Sequence, residues 1–372
     1  MLNPGEKDHR LVVGVASFGM SGRIFHMPLL THHKAFRVKS VVERTGDGAR
    51  THYPGMRRVT SFDEMVNDPE IDLVVVNTPD PTHYTLAKQS LLAGKHTVVE
   101  KPFTQTVKQG RELIALAGKS GKQLCVFHNR RWDGDFLTLQ NIVREERLGR
   151  LVEYEAHWDR YRNFIQPDTW KERSSAGAGL LYNLGSHLID QALVLFGMPE
   201  ALTAHLKAVR TSGEVDDWFE VRLHYGHVQV SLKSSYLVRE PGPRYLLHGT
   251  LGSYVKYGID PQEQALAQGG DPTVPDWGKE PEEWWGVLHT DQDGAGAVRR
   301  KMETVPGNYG AFYDSVYSSI LNGTACAVRP EEALNVISII AAAQQSNAQR
   351  RTVYVEPAEP FANQSRKGHP CA

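Results

Sequence analysis

Only three cysteines, Cys125, Cys326 and Cys371, occur in 372 residues, an odd number, widely separated and without CxxC or Cys/His spacing. That scarcity argues against a disulfide-stapled scaffold and a cysteine-ligated metal centre, and a cytoplasmic protein with free thiols is expected. No apolar run approaches the ~20 residues that span a bilayer. Met1 to Arg10 is polar and charged rather than a signal peptide. Membrane insertion and secretion are therefore not expected. An excess of one charge is missing as well: 42 Lys and Arg stand against 43 Asp and Glu, for a net charge of -1. Such a balance leaves no footprint for a polyanion, so nucleic acid is not an expected partner. Nor is any metal expected, because no His, Cys, Asp and Glu pattern has ligand spacing.

What is present is the composition of a globular chain, 40% hydrophobic and 23% charged, with 33 Gly and 20 Pro dispersed along it. Its length exceeds what one core usually serves and points to two domains. Over the first third, short apolar runs at 11–15, 38–42, 73–76 and 97–99 alternate with helical patterns at 23–30, 61–67, 82–93 and 107–120. That alternation predicts parallel strands with crossover helices. Ser61 with Glu64 forms a capping box, and Gly94 stands where a helix C-terminus favours a left-handed residue.

After about residue 128 the rhythm changes. A helix near 136–147 is followed by long alternating segments at 152–161 and 219–237, which read as antiparallel strands, and helices are expected at 309–321 and 331–347. The segment 260–307 is rich in Gly, Pro and Asp but carries Trp277, Trp284 and Trp285. It reads as a long ordered loop, either packed on the domain surface or serving as a lid or subunit contact.

Between the first strand and helix lies Ser17-Phe18-Gly19-Met20-Ser21-Gly22, a G-x-G-x-x-G turn with Ser in the first place. Gly19 lets the backbone approach a pyrophosphate, Gly22 lets the helix pack on the strand, and the helix N-terminus attracts the anion. By itself such a turn is as compatible with no ligand at all. Glu43 follows at the end of the second strand, suited to ribose hydroxyls, and Arg44 is suited to a 2'-phosphate. NAD and NADP are both admissible, with NAD placed first. The alternative is a solvated strand end.

Val98-Val99-Glu100-Lys101-Pro102 puts a charged pair at the carboxyl end of a buried strand, the edge where open α/β sheets bind ligands. A lysine there can polarise an oxygen on which negative charge develops. Pro102 fixes the turn, and a cis bond is one way of doing so. A Glu-Lys surface pair is the plain alternative. From 180 to 196 the apolar spacing predicts a helix with Asn183 and His187, four apart, on one face. A neutral histidine there can take a hydroxyl proton, or it can be a core or capping histidine.

The altered glycine turn, Asn77-Thr78-Pro79 with His83, Glu100-Lys101-Pro102, Asn129-Arg130-Arg131-Trp132 and Leu184-Gly185-Ser186-His187-Leu188-Ile189-Asp190-Gln191 together resemble the Gfo/Idh/MocA oxidoreductases, over about residues 10–350. The resemblance implies an α/β N-terminal Rossmann domain plus an α+β C-terminal domain with a large open, mostly antiparallel sheet. Residues 1–127 become the NAD(P)-binding domain, 128–357 the substrate-binding and oligomerisation domain, and 358–372 a tail expected to be disordered.

It further implies hydride transfer between nicotinamide and a secondary alcohol or ketone of a sugar or cyclic polyol, with a homodimer or homotetramer built through the C-terminal sheet. Lys101 and His187 carry the chemistry. Residues 17–22, Glu43, Arg44, Asn77, Thr78, Pro79, His83, Glu100, Lys101 and Pro102 attend the cofactor. Lys101, Trp132, Tyr161, Asn183 and His187 attend the substrate. Arg160 and Arg162 are further candidates on one strand face, opposite Tyr161. Many relatives have aspartate where this chain has Asn183. Asparagine can hydrogen-bond a hydroxyl but cannot do acid/base work. A catalytically silent NAD(P)-binding regulator and an NAD-dependent glycosidase-like enzyme are the competing readings.

Overall fold

The computed structural model describes residues 10–167, 169–174, 177–291 and 296–356. Residues 1–9 and the expected tail with Cys371 lie outside the described residues. The first half runs β1 (Leu11–Val15), α1 (Met27–His32), β2 (Phe36–Val42), α2 (Gly48–His52), β3 (Arg57–Val59), α3 (Phe62–Val66), β4 (Leu73–Val76), α4 (His83–Leu92), β5 (His96–Val99), α5 (Val107–Ser120) and β6 (Leu124–Val126). These strands form a parallel six-stranded sheet in the order β3-β2-β1-β4-β5-β6. Every residue of β4 is buried, as a strand with helices on both faces requires. The order reverses between β1 and β4, so their carboxyl ends open a crevice at the switch point.

Local chemistry sets the helix ends. Ser61 accepts the Glu64 N–H and opens α3, Thr106 accepts the Gln109 N–H and opens α5, and Gly121 closes α5 at φ 63°. Two helices begin with a wider π-helical turn, Gly22–His26 ahead of α1 and Leu181–Gly185 ahead of the helix that carries His187. Periodicity does not reveal that widening, which is often found at functional sites.

The second half adds α6 (Gly134–Arg144), β7 (Leu151–His157), α7 (Ser186–Phe196), β8 (Ala201–Lys207), β9 (Trp218–His224), β10 (Gln229–Ser235), β11 (Tyr245–Gly249), β12 (Gly252–Lys256), α8 (Gln262–Ala267), β13 (Gly286–Thr290), β14 (Val298–Met302), α9 (Gly310–Asn322), α10 (Pro330–Gln349) and β15 (Val353–Tyr354). Its nine strands are ordered β14-β13-β12-β11-β7-β10-β9-β8-β15, antiparallel except where β7 meets β10. The large, mostly antiparallel sheet is thus present. Alternation gives it two faces: Tyr154 and Ala156 of β7 and Val230 and Leu232 of β10 are buried, while Glu153, Glu155 and Gln229 point outward.

Two expectations change. The long alternating stretch 219–237 is a hairpin, because Gly226 and its neighbours turn the chain between β9 and β10. Residues 260–307 are not simply a loop but supply α8, β13 and β14. β14 reads Val-Arg-Arg-Lys-Met and lies at the sheet edge, where charge blocks further pairing and hides the strand pattern. Of the three tryptophans, Trp277 donates to Gln262 Oε1 at 3.0 Å and Trp284 is exposed.

Helix α9 binds the two halves. Tyr309 meets Phe25 edge-on, Tyr313 meets Phe36, and Phe312 lies 4.9 Å from Phe127, ring centre to ring centre. Phe312 is fully buried and also contacts Trp132 and Tyr313. Phe312→Ala is expected to lower unfolding free energy by about 3–5 kcal/mol, the usual loss for a buried aromatic. In urea denaturation the midpoint should fall with little change in slope.

Candidate active site

At the carboxyl ends of the parallel strands a cleft of about 680 Å³ separates the halves. One wall is made by Ser17, Gly19–Ser21, Asn77–Asp80 and Glu100–Pro102. Facing it are Trp158, Arg160, Arg162, Asn183, His187 and Tyr236.

The glycine turn shows what serine does in the first place: Ser17 Oγ accepts the Gly19 N–H at 3.0 Å, and Ser17 O accepts from Asn77 Nδ2 at 2.9 Å. A Cβ at Gly22 would come within 2.2 Å of Ser17 O and 2.8 Å of Asn77 Nδ2, so that glycine is required by the packing. Met20 is exposed at the rim, whereas Phe18 turns toward His52 and Tyr53 and leaves the cleft lining. Asn77 keeps a buried Oδ1 without a protein partner. An open backbone cradle beside a helix start, with spare polar capacity, fits the diphosphate of a dinucleotide.

Glu43 lies at the end of β2, but its two carboxylate oxygens accept the Gly48 and Ala49 N–H groups, each at 3.0 Å, and so cap α2. Arg44 beside it is exposed. His83 is fully buried and does not line the cleft; its ring nitrogens lie 2.9 Å from the carbonyls of Pro102 and Thr78, tying two lining loops together.

Glu100 is a buried carboxylate held by Ser21 Oγ at 2.8 Å, His26 Nε2 at 3.1 Å and the Lys101 N–H at 3.0 Å. Burial opposes its charge, yet the His26 hydrogen bond and the charges of His26 and Lys101 hold it down to about 2. Glu100 is therefore an anion that fixes geometry. The Lys101–Pro102 bond is cis.

Lys101 donates from Nζ to the Asn183 carbonyl at 2.8 Å. Burial lowers its pKa to about 8 against the opposing pull of Glu100 and Asp80. The His187 ring lies 5.3 Å from that of Trp158 and is buried. Burial, reinforced by the positive charges of Lys101 and Arg130, drives its pKa well below the ordinary value and keeps it neutral. Asn183 Nδ2 donates to Tyr236 OH at 3.2 Å. Thus a neutral histidine and an amide–phenol pair on one wall face a lysine near its titration point on the other.

Two sequence candidates lie elsewhere. Tyr161 is 45% exposed, pairs with Leu237 and stacks under Arg239, because strand alternation turns it opposite to Arg160 and Arg162. Trp132 packs on Phe312, and its carbonyl accepts from Gln262 and Asn308. Arg131 is committed to Asp190 and Glu332. Conversely, Tyr236 and Trp158 line the cleft although nothing local marks them. Among the described residues no group of three His, Cys, Asp or Glu could hold a metal, and no helix is long and apolar enough to cross a membrane.

Residues 9–128 match the model of the oxidoreductase family's NAD-binding Rossmann fold, and residues 141–356 that of its C-terminal alpha/beta domain. The chain is 39% identical over 359 residues to the scyllo-inositol 2-dehydrogenase (NADP(+)) IolW of Bacillus subtilis strain 168, covering 96% of this chain and 99% of that protein. A crystal structure from Bacteroides fragilis NCTC 9343 has a TM-score of 0.86 at 50% identity, covering 93% of this chain and all of that one. The yvaA protein of Bacillus subtilis has a TM-score of 0.91 at 39% identity, covering 94% of this chain and 100% of that one.

Gly22→Ala should force the turn away from Ser17 and Asn77. Dinucleotide affinity, read by titration calorimetry, is expected to fall at least about tenfold, a loss of roughly 1.4 kcal/mol. Unchanged affinity would show that the turn does not hold the diphosphate.

Proposed function

The chain belongs to the Gfo/Idh/MocA family of NAD(P)-dependent oxidoreductases, and from that premise we propose reversible hydride transfer at a secondary alcohol of a sugar or cyclic polyol, with His187 as base and Lys101 as electrophile. The observation that carries this is a buried neutral His187 facing a half-buried Lys101 across the cleft. The nicotinamide supplies the hydride acceptor when bound. Residues 17–22 and Asn77–Pro79 would hold the dinucleotide, and Glu100 would anchor that wall. His187 takes the hydroxyl proton as the carbon–hydrogen bond breaks. Lys101 keeps its charge against the oxygen, and Asn183 with Tyr236 orients a neighbouring hydroxyl. The division near residue 128 would separate cofactor from substrate functions.

For the cofactor we favour NADP. Both Glu43 oxygens already serve α2, while the adjacent Arg44 is exposed and available for a 2'-phosphate. The NADP(+) in the name of the Bacillus subtilis relative points the same way. Cyclic polyols of the inositol type are the first substrates to try, on the same relative. A cytoplasmic homo-oligomer joined through the open face of the large sheet completes the proposal, consistent with the buried free thiols Cys125 and Cys326.

Absorbance of reduced nicotinamide, followed with polyols, sugars and keto sugars, tests the reaction. His187→Ala and Lys101→Ala should each lower kcat by roughly 100-fold or more. Because Lys101 loses its charge as pH rises through about 8, kcat/KM should fall above that point, and no acid limb should appear near 6.5. Turnover that survives both substitutions would sink the assignment. Cofactor binding without turnover would instead identify the silent regulator, and substrate cleavage without net reduced cofactor the glycosidase-like enzyme. In parallel, Arg44→Ala should weaken NADP binding about 10- to 100-fold, the worth of a charge-assisted hydrogen bond, and leave NAD binding unchanged. Tighter binding of NAD by the unaltered protein would reverse the cofactor preference.

A further inference from the structure

Three imidazole nitrogens are buried without a hydrogen-bond partner among the described residues, and they belong to two neighbouring rings: Nδ1 of His187, and Nδ1 and Nε2 of His128. His128 lies two residues beyond β6 and is 1% exposed. The rings stand perpendicular, at 86°, with centres 6.5 Å apart. Behind His128 is Asp190, three residues beyond His187 on α7, with Oδ2 3.8 Å from His128 Nδ1. Arg131 fixes Asp190 through two hydrogen bonds of 2.9 and 2.7 Å and is itself held by Glu332 at 2.7 Å.

The chemistry of these groups leaves little choice. Burial lowers the pKa of His128 to about 4, so the ring is neutral and has one N–H and one lone pair. Although burial works the other way on Asp190, the charge of Arg131 keeps it ionised and therefore an acceptor only. The N–H of His128 thus belongs on Nδ1, toward Asp190, and Nε2 is left as an acceptor. A buried nitrogen left without a partner is costly. With ring radii of about 1.2 Å, nitrogens of the two rings are at least roughly 4 Å apart, too far for a direct hydrogen bond, and at that limit one water spans them.

We propose that His128 is a positioning residue for His187: His187 Nδ1–H is held by His128 Nε2 through one buried water, and Asp190 holds His128 from behind. This rests on the reading of His187 as the base. The arrangement fixes the proton of neutral His187 on Nδ1 and leaves the Nε2 lone pair for the cleft. When Nε2 accepts the substrate proton, Nδ1 keeps its own, and no proton passes along the chain of groups. Its benefit is orientation. Lys101, Arg130, His128 and Arg244, when charged, all oppose positive charge on His187, so a neutral His128 with its N–H turned to Asp190 both removes one of those charges and presents a lone pair to Nδ1–H.

Long-range proton–nitrogen spectra of the full chain labelled with 15N-histidine test this without any substrate. The His187 signals are assigned by their loss in His187→Asn. In the native chain at neutral pH, His187 should be the Nδ1–H tautomer. In His128→Phe, or in His128→Asn if the first does not fold, the Nε2–H form should appear, and His128→Gln should restore the native spectrum. An Nε2–H tautomer in the native chain, or a spectrum unmoved by His128→Phe or His128→Asn, overturns the proposal. With scyllo-inositol and NADP, the same variants should lower kcat roughly 10- to 1000-fold with KM little changed. If the native chain turns over no polyol, the proposed reaction is what has failed, and the tautomer still decides the role of His128.

Discussion

The cleft depends on one buried carboxylate. Glu100 sits where β5 ends and receives hydrogen bonds from the glycine turn through Ser21, from the first helix through His26 and from the next peptide through the Lys101 N–H. His26 passes the link on to Tyr313 of α9 at 2.6 Å. A carboxylate out of water is costly unless donors surround it. That cost makes the arrangement specific, since moving any one of the three segments would strand a charge. The glycine turn, the Lys101 loop and the helix from the far end of the chain therefore hold a common geometry.

Burial acts on the two proposed proton-handling groups in the same direction and to different effect. It lowers both His187 and Lys101, because for each the charged form is the protonated one. The histidine is thereby neutral throughout the physiological range, ready to accept. Lysine starts from a much higher value and ends at about 8, charged at neutral pH but close to release. The charge of Lys101 further disfavours a proton on His187. Both groups are tuned by burial in the same cleft.

The parallel sheet was legible because β4 and β5 are short apolar runs with helical periods between them, and 107–120 returned as α5 with the same bounds. Helix ends followed from Ser61 and Gly94. The edge strand β14 was not legible, since its charges serve to prevent pairing and carry no alternation. Cleft lining was legible where a family motif marks it, as at Lys101 beyond β5 and at Asn183 and His187 at the start of the α7 helix. Tyr236 enters the cleft because β10 ends there and Asp217 O accepts its N–H, a pairing between distant segments that no local pattern announces. Glu43 shows the converse: its position was read correctly, but the Gly48 and Ala49 amides that occupy its oxygens lie on a helix too short to be seen in the sequence.

Asn183 can now be weighed. Lys101 is held by the backbone carbonyl of residue 183, so replacing the aspartate of many relatives does not remove its anchor. The side chain is engaged separately, with Tyr236 OH. The departure therefore changes charge rather than placement. An aspartate here would put an anion beside Lys101 and raise its pKa. Without it, Lys101 answers only to burial, Glu100, Asp80 and the surrounding cations. The amide also presents a donor where the acid would only accept. In the proposed reaction Asn183 and Tyr236 would meet a substrate hydroxyl as either donor or acceptor, which would loosen the demand on that hydroxyl's orientation without moving Lys101.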